Sequence, residues 1–412
     1  MHIPRHCHLM QVMTVPQSFS FLSGQLRFLA EQGFAVHAVS SPGSGWDLFI
    51  KGEPVVPHVV SMPRRITPFQ DLIAVWRLYR LMRTIRPQIV HAHTPKGGLL
   101  GMLAAWLANV PVRVYTIHGL PLMTARGWRR LLLLWTERVA CWCALRVLSV
   151  SPSIRSVAIQ KDICPASKVE VFHGGSSNGI DAQQHFNRKH LPARTRVHIR
   201  AASNIPEDAL VLGFVGRIVR DKGIVELIEA WQTLREQFPS LHMLLVGPFE
   251  LKDPLPSEAM HLLRSDPRIH LVGSVTEVPP YYAAMDLLVL PTYREGLPGV
   301  LLECAAMKLP VVATRIPGCV DAVVDGETGT LVEPRDAKSL GEAIALYLNS
   351  PELRCQHGAA GRRWVLDQFC PERIWLAIYE EYVRLLRQCN LPPPTDDAEA
   401  AVPTQFQERS AA

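Results

Sequence analysis

The sequence predicts an α/β protein of two Rossmann-like domains, whose parallel sheets face each other across a cleft. Short apolar segments alternate with amphipathic helical segments, stop at a polar, Arg-rich stretch over 185–206, and then begin again. The chain has 412 residues, which suits two domains of about 150 to 200 residues each. We therefore expect two successive α/β units rather than one large core.

The N-terminal half shows the alternation most clearly. Strands are expected at 8–14, 35–40, 55–61, 88–93, 113–118 and 146–150, where short apolar runs rich in β-formers occur. Helices are expected at 19–32, 69–85, 98–108 and 129–144, where apolar residues recur with a helical period. This order predicts a parallel sheet with helices on both faces.

The second half repeats the pattern after the polar stretch, which we interpret as a linker. Strands are expected at 211–215, 242–246, 270–271, 287–290 and 311–314. We assign 1–190 to the first domain and 205–371 to the second, and a helix over 372–390 is free to pack back on the first domain. The tail, 391–412, is rich in Pro, Asp, Glu and Ala and is predicted to be disordered.

Composition restricts the partners and the compartment. The formal net charge is +6, which suits an anionic partner, but the basic residues form no compact run of the kind that binds nucleic acid. Nine cysteines are scattered along the chain and predict free thiols in a reducing compartment. No apolar run reaches the roughly 20 residues of a membrane span. We expect a cytoplasmic protein whose membrane contact, if any, is peripheral at the inner face.

The first candidate site follows the strand expected at 211–215. Gly216 and Arg217 come directly after that strand, and Lys222 and Gly223 open the next helix. A glycine lets a ligand approach the backbone, and a helix start offers free N–H groups to an anion. This corner suits a diphosphate; the alternative is a tight turn whose two cations are only solvated.

The second candidate site follows the strand expected at 287–290. Glu295 lies in the loop after this strand, and Glu303 lies eight residues later in the next helix. An ionised carboxylate offers two acceptor oxygens, which match a pair of neighbouring hydroxyls. The two acids can hold two different sugars, with the backbone of Gly296 and Leu297 meeting phosphates between them. Helix-dipole preference explains one of these acids but not both.

These residues resemble the donor-binding signature of the family 4 glycosyltransferases, which have the GT-B fold. The resemblance extends over about 8–390. It implies that Arg217 and Lys222 neutralise the diphosphate of a nucleotide-sugar donor. It also implies that Glu295 contacts the transferred sugar and that Glu303 holds the ribose. The first domain would then bind the acceptor.

Three segments of the first domain resemble the capsular-polysaccharide, CapM-like branch of that family. They read HAHTPKGG at 91–98, VYTIHG at 114–119 and SSNGID at 176–181. His118 ends a predicted strand before a glycine, so we expect its ring in the cleft as a sugar contact or proton-handling residue. The acceptor or cleft candidates from these segments are His93, Lys96 and Asn178.

The loop after the first strand departs from the family pattern. Many members carry a Gly-Gly pair there, whereas residues 13–18 read MTVPQS. We therefore assign no donor-binding residue to this loop.

His91 and His93 share one strand face, which fits either a metal pair or two packed histidines that shape the acceptor pocket. No Asp-x-Asp motif ends a strand, so we expect catalysis without a metal or other cofactor. In that case Arg217, Lys222 and helix-start dipoles stabilise the departing diphosphate.

The resemblance implies a retaining hexosyltransferase that uses a nucleotide-sugar, expected to be a UDP-sugar. The acceptor is a hydroxyl of a growing saccharide, free or linked to undecaprenyl diphosphate, in capsule, exopolysaccharide, O-antigen or other glycan biosynthesis. Two alternatives on the same fold are a UDP-sugar 2-epimerase and a non-catalytic glycosyltransferase-like subunit.

The segment 128–144 mixes Trp and Leu with Arg. It is either a helix that lies on an anionic membrane or an ordinary core helix with a basic solvent face.

Overall fold

Two parallel β-sheets, each covered by helices, form the protein. The computed structural model describes residues 7–43, 45, 46, 49, 52–250 and 253–394. In these residues the first sheet has seven strands in the order β3-β2-β1-β4-β5-β6-β7, and the second has six in the order β10-β9-β8-β11-β12-β13. This arrangement confirms the predicted α/β architecture. Each sheet reverses its strand order once, at β1/β4 and at β8/β11, where ligands of open α/β sheets usually bind.

The strands have the following bounds. In the first sheet they are β1 Cys7–Val12, β2 Phe34–Ser40, β3 Val56–Val59, β4 Ile89–His93, β5 Val112–Ile117, β6 Arg146–Ser149 and β7 Val169–Glu170. In the second sheet they are β8 Leu210–Val215, β9 Leu241–Val246, β10 Ile269–Gly273, β11 Leu287–Leu290, β12 Val311–Thr314 and β13 Gly329–Val332. The sequence analysis did not predict β7 or β13.

The α-helices of the first domain are α1 Gln25–Glu31, α2 Pro68–Ile85, α3 Pro95–Leu107, α4 Gly127–Cys143 and α5 Pro152–Gln160. Next come α6 Thr195–Ala202, α7 Ile224–Gln237, α8 Ser257–Ser265, α9 Pro279–Ala284, α10 Gly299–Ala306 and α11 Cys319–Ala322. The chain closes with α12 Ala337–Asn349, α13 Pro351–Gln368 and α14 Pro371–Gln388. Short 3₁₀ helices lie at Pro16–Leu22, Pro121–Met123, Arg188–His190 and Arg220–Lys222.

The predicted helix over 19–32 is in fact two elements. Pro16–Leu22 forms a 3₁₀ helix, and α1 begins only after Gly24, whose φ is +78°. A residue with Cβ is strained in this left-handed conformation, so the glycine marks the break between the two elements. A Cβ at Gly24 would also lie 2.8 Å from the ring of Trp375.

The polar stretch over 185–206, which we interpreted as a linker, packs on the second domain. It contains α6, and Arg200 of that helix is buried. The Arg200 guanidinium donates to the Asp286 carboxylate at 2.8 Å and to three backbone carbonyls, of Ala284, Glu207 and Ala209. A buried guanidinium whose donors are satisfied in this way is compatible with the core, so an Arg-rich segment need not be a linker.

The last helix, α14, packs in the first domain although it follows the second in sequence. Its apolar face, including Ile374, Ile378 and Tyr382, lies in one core cluster with side chains of β1 and β2. Arg146 of β6 donates to Glu381 of the same helix at 2.6 Å. Residues 391–394 of the predicted disordered tail are described, and the rest of that tail lies outside the described residues.

All nine cysteines carry free thiols, and six of them are buried. In the part of the chain that the structure describes, no helix is both long enough and apolar enough to cross a bilayer.

Candidate active site

The loop after β8 places two cations at the switch point of the second sheet. Gly216 has a φ of +149°, and Gly223 has a φ of +72° and precedes α7. A Cβ at Gly223 would lie 1.9 Å from the Pro291 carbonyl oxygen, so only glycine fits this approach of the two loops. Lys222 lies on the 3₁₀ helix between them, and Arg217 lies directly after β8.

Lys222 and Glu295 form the central pair of the site. The Lys222 ammonium donates to the Glu295 carboxylate, and both side chains are largely buried. Beside them the Arg294 guanidinium lies 3.2 Å from Asp221, and the Tyr293 N–H donates to the Asp221 carbonyl. The loops after β8 and β11 are thus joined side by side.

Arg217 is more exposed than Lys222. Its guanidinium donates to Glu250 at 2.8 Å, and close to half of its side chain is open to solvent. An exposed ion pair of this kind is worth little free energy, so the guanidinium is free to exchange Glu250 for an anionic ligand at small cost.

Glu303 is held by a tyrosine. The Tyr282 hydroxyl donates to the Glu303 carboxylate at 2.5 Å. Burial raises the pKa of Glu303 above its ordinary value, and the Tyr282 hydrogen bond partly opposes that rise. One carboxylate oxygen therefore has a fixed partner, which orients the group at the start of α10.

The two domains meet at Gly296. A Cβ at this position would lie 2.0 Å from the carbonyl oxygen of His118, so the backbones of the two loops are in close contact. The Ser151 hydroxyl of the first domain donates to the Gly296 carbonyl at 2.8 Å. The predicted diphosphate residues Gly296 and Leu297 and the predicted cleft residue His118 thus border the same place between the domains.

His118 follows β5 and is hydrogen-bonded to His93 of β4. Its Nε2 lies 3.0 Å from Nδ1 of His93, and its ring stacks on Phe21 at a centroid distance of 5.7 Å. Burial lowers the pKa of His118 to about 4. The imidazole is therefore neutral at pH 7, the state in which a ring nitrogen accepts a hydrogen bond or a proton.

His91 has two neighbours of its own. Its Nδ1 lies 2.5 Å from the Tyr382 hydroxyl and its Nε2 lies 2.6 Å from the Thr116 hydroxyl. These contacts fit the packed interpretation of the His91 and His93 pair rather than the metal interpretation. Within the described ranges, no group of three or more His, Cys, Asp or Glu side chains is arranged to hold a metal ion.

Two family models match the chain. The "Glycosyl transferase 4-like domain" covers residues 21–175, and "Glycosyl transferases group 1" covers residues 209–350. The capsular polysaccharide biosynthesis glycosyltransferase CapM of Staphylococcus aureus is 32% identical over 380 residues, which cover 92% of this chain and 98% of CapM. The chain belongs to the family 4 glycosyltransferases.

A second sequence relative and two solved structures agree with this assignment. An Escherichia coli UDP-Gal:alpha-D-GlcNAc-diphosphoundecaprenol alpha-1,3-galactosyltransferase is 26% identical, over 82% of this chain and 86% of that enzyme. Anabaena HepE in complex with UDP-glucose matches with a TM-score of 0.76 at 18% identity, over 92% of this chain and 100% of HepE. A Rickettsia africae glycosyltransferase matches with a TM-score of 0.75 at 18% identity, over 93% of this chain and 99% of that protein. These two structures show that the transferase has the GT-B fold.

Two predicted acceptor candidates of the transferase are engaged by their own domain. Lys96 forms an ion pair with Asp71 at 2.7 Å. The Asn178 amide donates to the Ser23 carbonyl at 2.8 Å and accepts from the Trp375 indole at 2.7 Å. Asn178 thereby ties its loop to α14. Both side chains thus have partners within their own domain, and their contact with an acceptor stays a prediction.

The sequence analysis missed the contacts that lock the two domains of the transferase together. The Ser153 hydroxyl and N–H both donate to the Asp321 carboxylate, and the Gly318 N–H donates to the Ser153 hydroxyl at 2.7 Å. The sequence signal for these contacts is the series of serines at 149, 151 and 153, the first of which ends β6. Hydroxyls at a strand end are well placed to meet the facing domain.

Proposed function

We propose that this glycosyltransferase moves a hexose, with retention of configuration, from a UDP-sugar to a hydroxyl of a growing saccharide linked to a lipid diphosphate, in polysaccharide biosynthesis. The observation that carries the proposal is the Lys222–Glu295 pair, which lies at the switch point of the second sheet. The residue after Glu295 contacts the backbone of His118 in the facing domain. A cation, a sugar-binding acid and a neutral imidazole thus border one cleft.

The donor diphosphate would be held by cations and backbone groups. Lys222 and Arg217 are each paired with an acid, and a phosphate competes with those acids for the two cations. Gly296 and Leu297 precede α10, whose first turn has unpaired N–H groups that favour an anion. Binding of the diphosphate would therefore release Glu295 from Lys222 and turn its carboxylate to the hydroxyls of the sugar.

Glu303 would hold the ribose. One of its oxygens accepts from Tyr282, and the other can accept from a ribose hydroxyl. The family resemblance assigns the same role to this residue.

In the reaction, an acceptor oxygen forms a bond to the anomeric carbon while the bond from that carbon to the UDP oxygen breaks. In such a single displacement, retention requires attack from the face that the diphosphate leaves, and the acceptor proton passes to a departing phosphate oxygen. Lys222 and Arg217 stabilise the negative charge that develops on the diphosphate, so the proposed reaction needs no metal ion. His118 contacts the sugar as a neutral hydrogen-bonding group.

The relatives support both substrates. The E. coli relative is named for UDP-galactose and for an acceptor on diphosphoundecaprenol, and HepE was solved with UDP-glucose. CapM is named for capsular polysaccharide biosynthesis.

An exposed surface of the first domain suits a lipid-linked acceptor. On α4, which carries Trp128, Leu131, Trp135 and Trp142, these four side chains are exposed, and so are Arg129 and Arg130. The sequence analysis did not assign α2 to this surface, but its residues Phe69, Leu72, Ile73 and Trp76 are exposed as well, beside Arg77 and Arg80. Aromatic side chains interspersed with arginines are typical of helices that lie in an anionic interface, so we propose peripheral contact with the inner face of the membrane.

The donor class is tested by thermal denaturation of the protein with UDP, GDP, ADP and their sugar conjugates, with and without magnesium. A bound ligand raises the melting temperature of the fold that binds it. We expect a rise with UDP and UDP-sugars that is independent of magnesium and that Lys222→Met removes. Stabilisation by GDP or ADP alone would contradict the proposed donor, and free epimerised sugar without acceptor would support the epimerase alternative.

A further inference from the structure

A chain of hydrogen bonds leads from His118 into the core of the first domain. His118 Nε2 lies 3.0 Å from His93 Nδ1, and His93 Nε2 lies 2.8 Å from Oε1 of Gln11. Gln11 is on β1, next to β4, and its side chain is fully buried. Burial of a glutamine amide in a sheet costs folding free energy unless the amide is hydrogen-bonded. The hydrogen bonds of Gln11 therefore explain how this polar side chain is tolerated in the core.

The chain continues beyond Gln11. The Gln11 amide Nε2 donates to the Tyr382 hydroxyl at 3.3 Å, and that hydroxyl lies 2.5 Å from His91 Nδ1. His91 Nε2 ends the chain at the Thr116 hydroxyl, at 2.6 Å. The members come from β1, β4, β5 and α14, and we call them the histidine relay.

The amide of Gln11 sets the direction of every bond in the relay. The Gln11 Oε1 can only accept a hydrogen bond, so the proton of His93 must lie on Nε2. The Nδ1 of His93 is therefore unprotonated. The bare Nδ1 of His93 then accepts from His118, which places the His118 proton on Nε2.

On the other side of the amide, the Gln11 Nε2 donates to the oxygen of Tyr382. The Tyr382 proton is therefore directed to His91 Nδ1, and His91 Nε2 donates to Thr116. All five bonds run the same way, without a conflict at any member.

We propose that Gln11 is a positioning residue that, through His93, holds His118 as the tautomer protonated on Nε2, with an unprotonated Nδ1 that faces substrate. This inference rests on the proposed function only in giving Nδ1 a substrate hydroxyl to accept from. Among the described residues none is hydrogen-bonded to His118 Nδ1, whereas Nε2 is bonded to His93.

Burial keeps the relay neutral, as the assignment requires. Burial lowers the pKa of His93 well below its ordinary value, and the nearby His91 and His118 lower it further. Burial likewise raises the pKa of the Tyr382 hydroxyl, which stays a donor at neutral pH. Near pH 7 each imidazole of the relay therefore has one N–H and one unprotonated nitrogen, and the Tyr382 hydroxyl keeps its proton.

The tautomer can be read directly by long-range ¹H–¹⁵N NMR of the full chain labelled at histidine. His118 is assigned by the loss of its signals in His118→Gln. We expect a pattern with the proton on Nε2 and a bare Nδ1 at pH 7.5. A proton on His118 Nδ1 would mean that the relay runs in the opposite direction and would overturn the proposal.

Two variants distinguish a specific effect of Gln11 on the His118 tautomer from a general effect of losing a buried amide. Gln11→Met removes the amide at nearly equal volume, and Gln25→Met is the matched control. Gln25 is also fully buried, but its amide donates to the Ser177 carbonyl outside the relay. We expect a mixture of His118 tautomers in Gln11→Met and the wild-type pattern in Gln25→Met. An unchanged, single tautomer in Gln11→Met would refute the role of Gln11.

Kinetics provide the second readout. Gln11→Met should lower kcat about five- to tenfold, the value of one buried hydrogen bond, with little change in the KM of the donor. Tyr382→Phe, which keeps the Gln11 acceptor for His93, should lower kcat less. Altered His118 tautomers with an unchanged kcat would confirm that Gln11 sets the tautomer, and would refute a role for that tautomer in the proposed reaction.

Discussion

The Lys222 ammonium and the Glu295 carboxylate form a largely buried ion pair that joins the loops after β8 and β11. The two opposite charges compensate each other in the cleft, and in the proposed reaction each group has a second use when a donor binds. Lys222 can neutralise a phosphate, and Glu295 can accept from sugar hydroxyls. The pair therefore holds both groups ready without leaving either charge alone in a poorly solvated place.

Removal of either partner should strongly lower turnover. We expect Lys222→Met and Glu295→Gln each to lower kcat by about 10²- to 10³-fold, the usual cost of one group that stabilises transition-state charge. Initial rates of sugar transfer measure this. Lys338→Met is the control, because Lys338 pairs with Glu342 at 3.9 Å on an exposed helix surface. Equal rates in Lys222→Met and Lys338→Met would contradict the assignment.

A methyl group at Gly296 should separate the two domains locally. In Gly296→Ala the new carbon would lie 2.0 Å from the His118 carbonyl oxygen, and backbone must move to relieve the clash. A shift of about 1 Å at reacting groups can cost about 10²-fold in rate, so we expect a loss of that order. Gly52→Ala is the control, since open space surrounds that position. Full activity of Gly296→Ala would show that this contact does not shape the site.

Acid should destabilise the first domain through His37. This buried side chain on β2 is flanked by His8 at 2.9 Å and His58 at 3.0 Å. Burial, with the charges of His58 and His8, lowers the pKa of His37 to about 4. Between its ordinary value near 6.5 and about 4 the unfolded chain binds a proton that the folded chain does not. Stability is therefore present above pH 6.5 and falls as the pH drops through this window.

The predicted contribution of His37 is about 1 to 3 kcal/mol of unfolding free energy, since one unit of pKa difference is worth about 1.4 kcal/mol. Urea denaturation at pH 7 and pH 4.5 measures it. His37→Gln should show a shallower decrease than the wild type, whereas His190→Gln, at an exposed position, should follow the wild type. Identical decreases of unfolding free energy in all three proteins would show that His37 does not cause the acid destabilisation.

The exposed aromatic surface predicts binding to anionic vesicles. Phe69 on α2 and Trp135 on α4 are 84% and 62% exposed. We expect the protein to float with vesicles that contain phosphatidylglycerol and to stay behind with phosphatidylcholine alone. The double variant Phe69→Ser, Trp135→Ser should lose most of this binding. Leu346→Ser, which changes an exposed leucine of the second domain, should keep it. Equal vesicle binding by the wild type, the double variant and Leu346→Ser would show that Phe69 and Trp135 do not form the membrane contact.

Local pattern was enough to predict most of the fold. The strands at 287–290 and 311–314 were predicted at their observed bounds, because short, fully buried apolar runs between turn residues are typical of parallel strands. β7 was missed because it has only two residues, and α6 because its arginines hide a buried face.

The site, like the fold, has features that the sequence predicts and features that it does not. The loops after β8 and β11 carry charges and glycines at fixed distances from a strand, so each could be recognised from the sequence as a candidate site. The contacts of Gln11 with His93 and of Gln11 with Tyr382 join residues 82 and 371 positions apart. Only the folded chain brings such partners together, so the sequence alone could not identify the partners of Gln11.

The cleft beside Lys222 and Glu295 is proposed to transfer a hexose from a UDP-hexose with retention of configuration. The most direct measurement incubates the protein with UDP-hexoses and an undecaprenyl-diphosphate-linked saccharide, and determines the anomeric configuration of the new bond by NMR. We predict a product with the configuration of the donor, formed by the wild type and lost in Glu295→Ala. An inverted product, or full transfer by Glu295→Ala, would contradict the account.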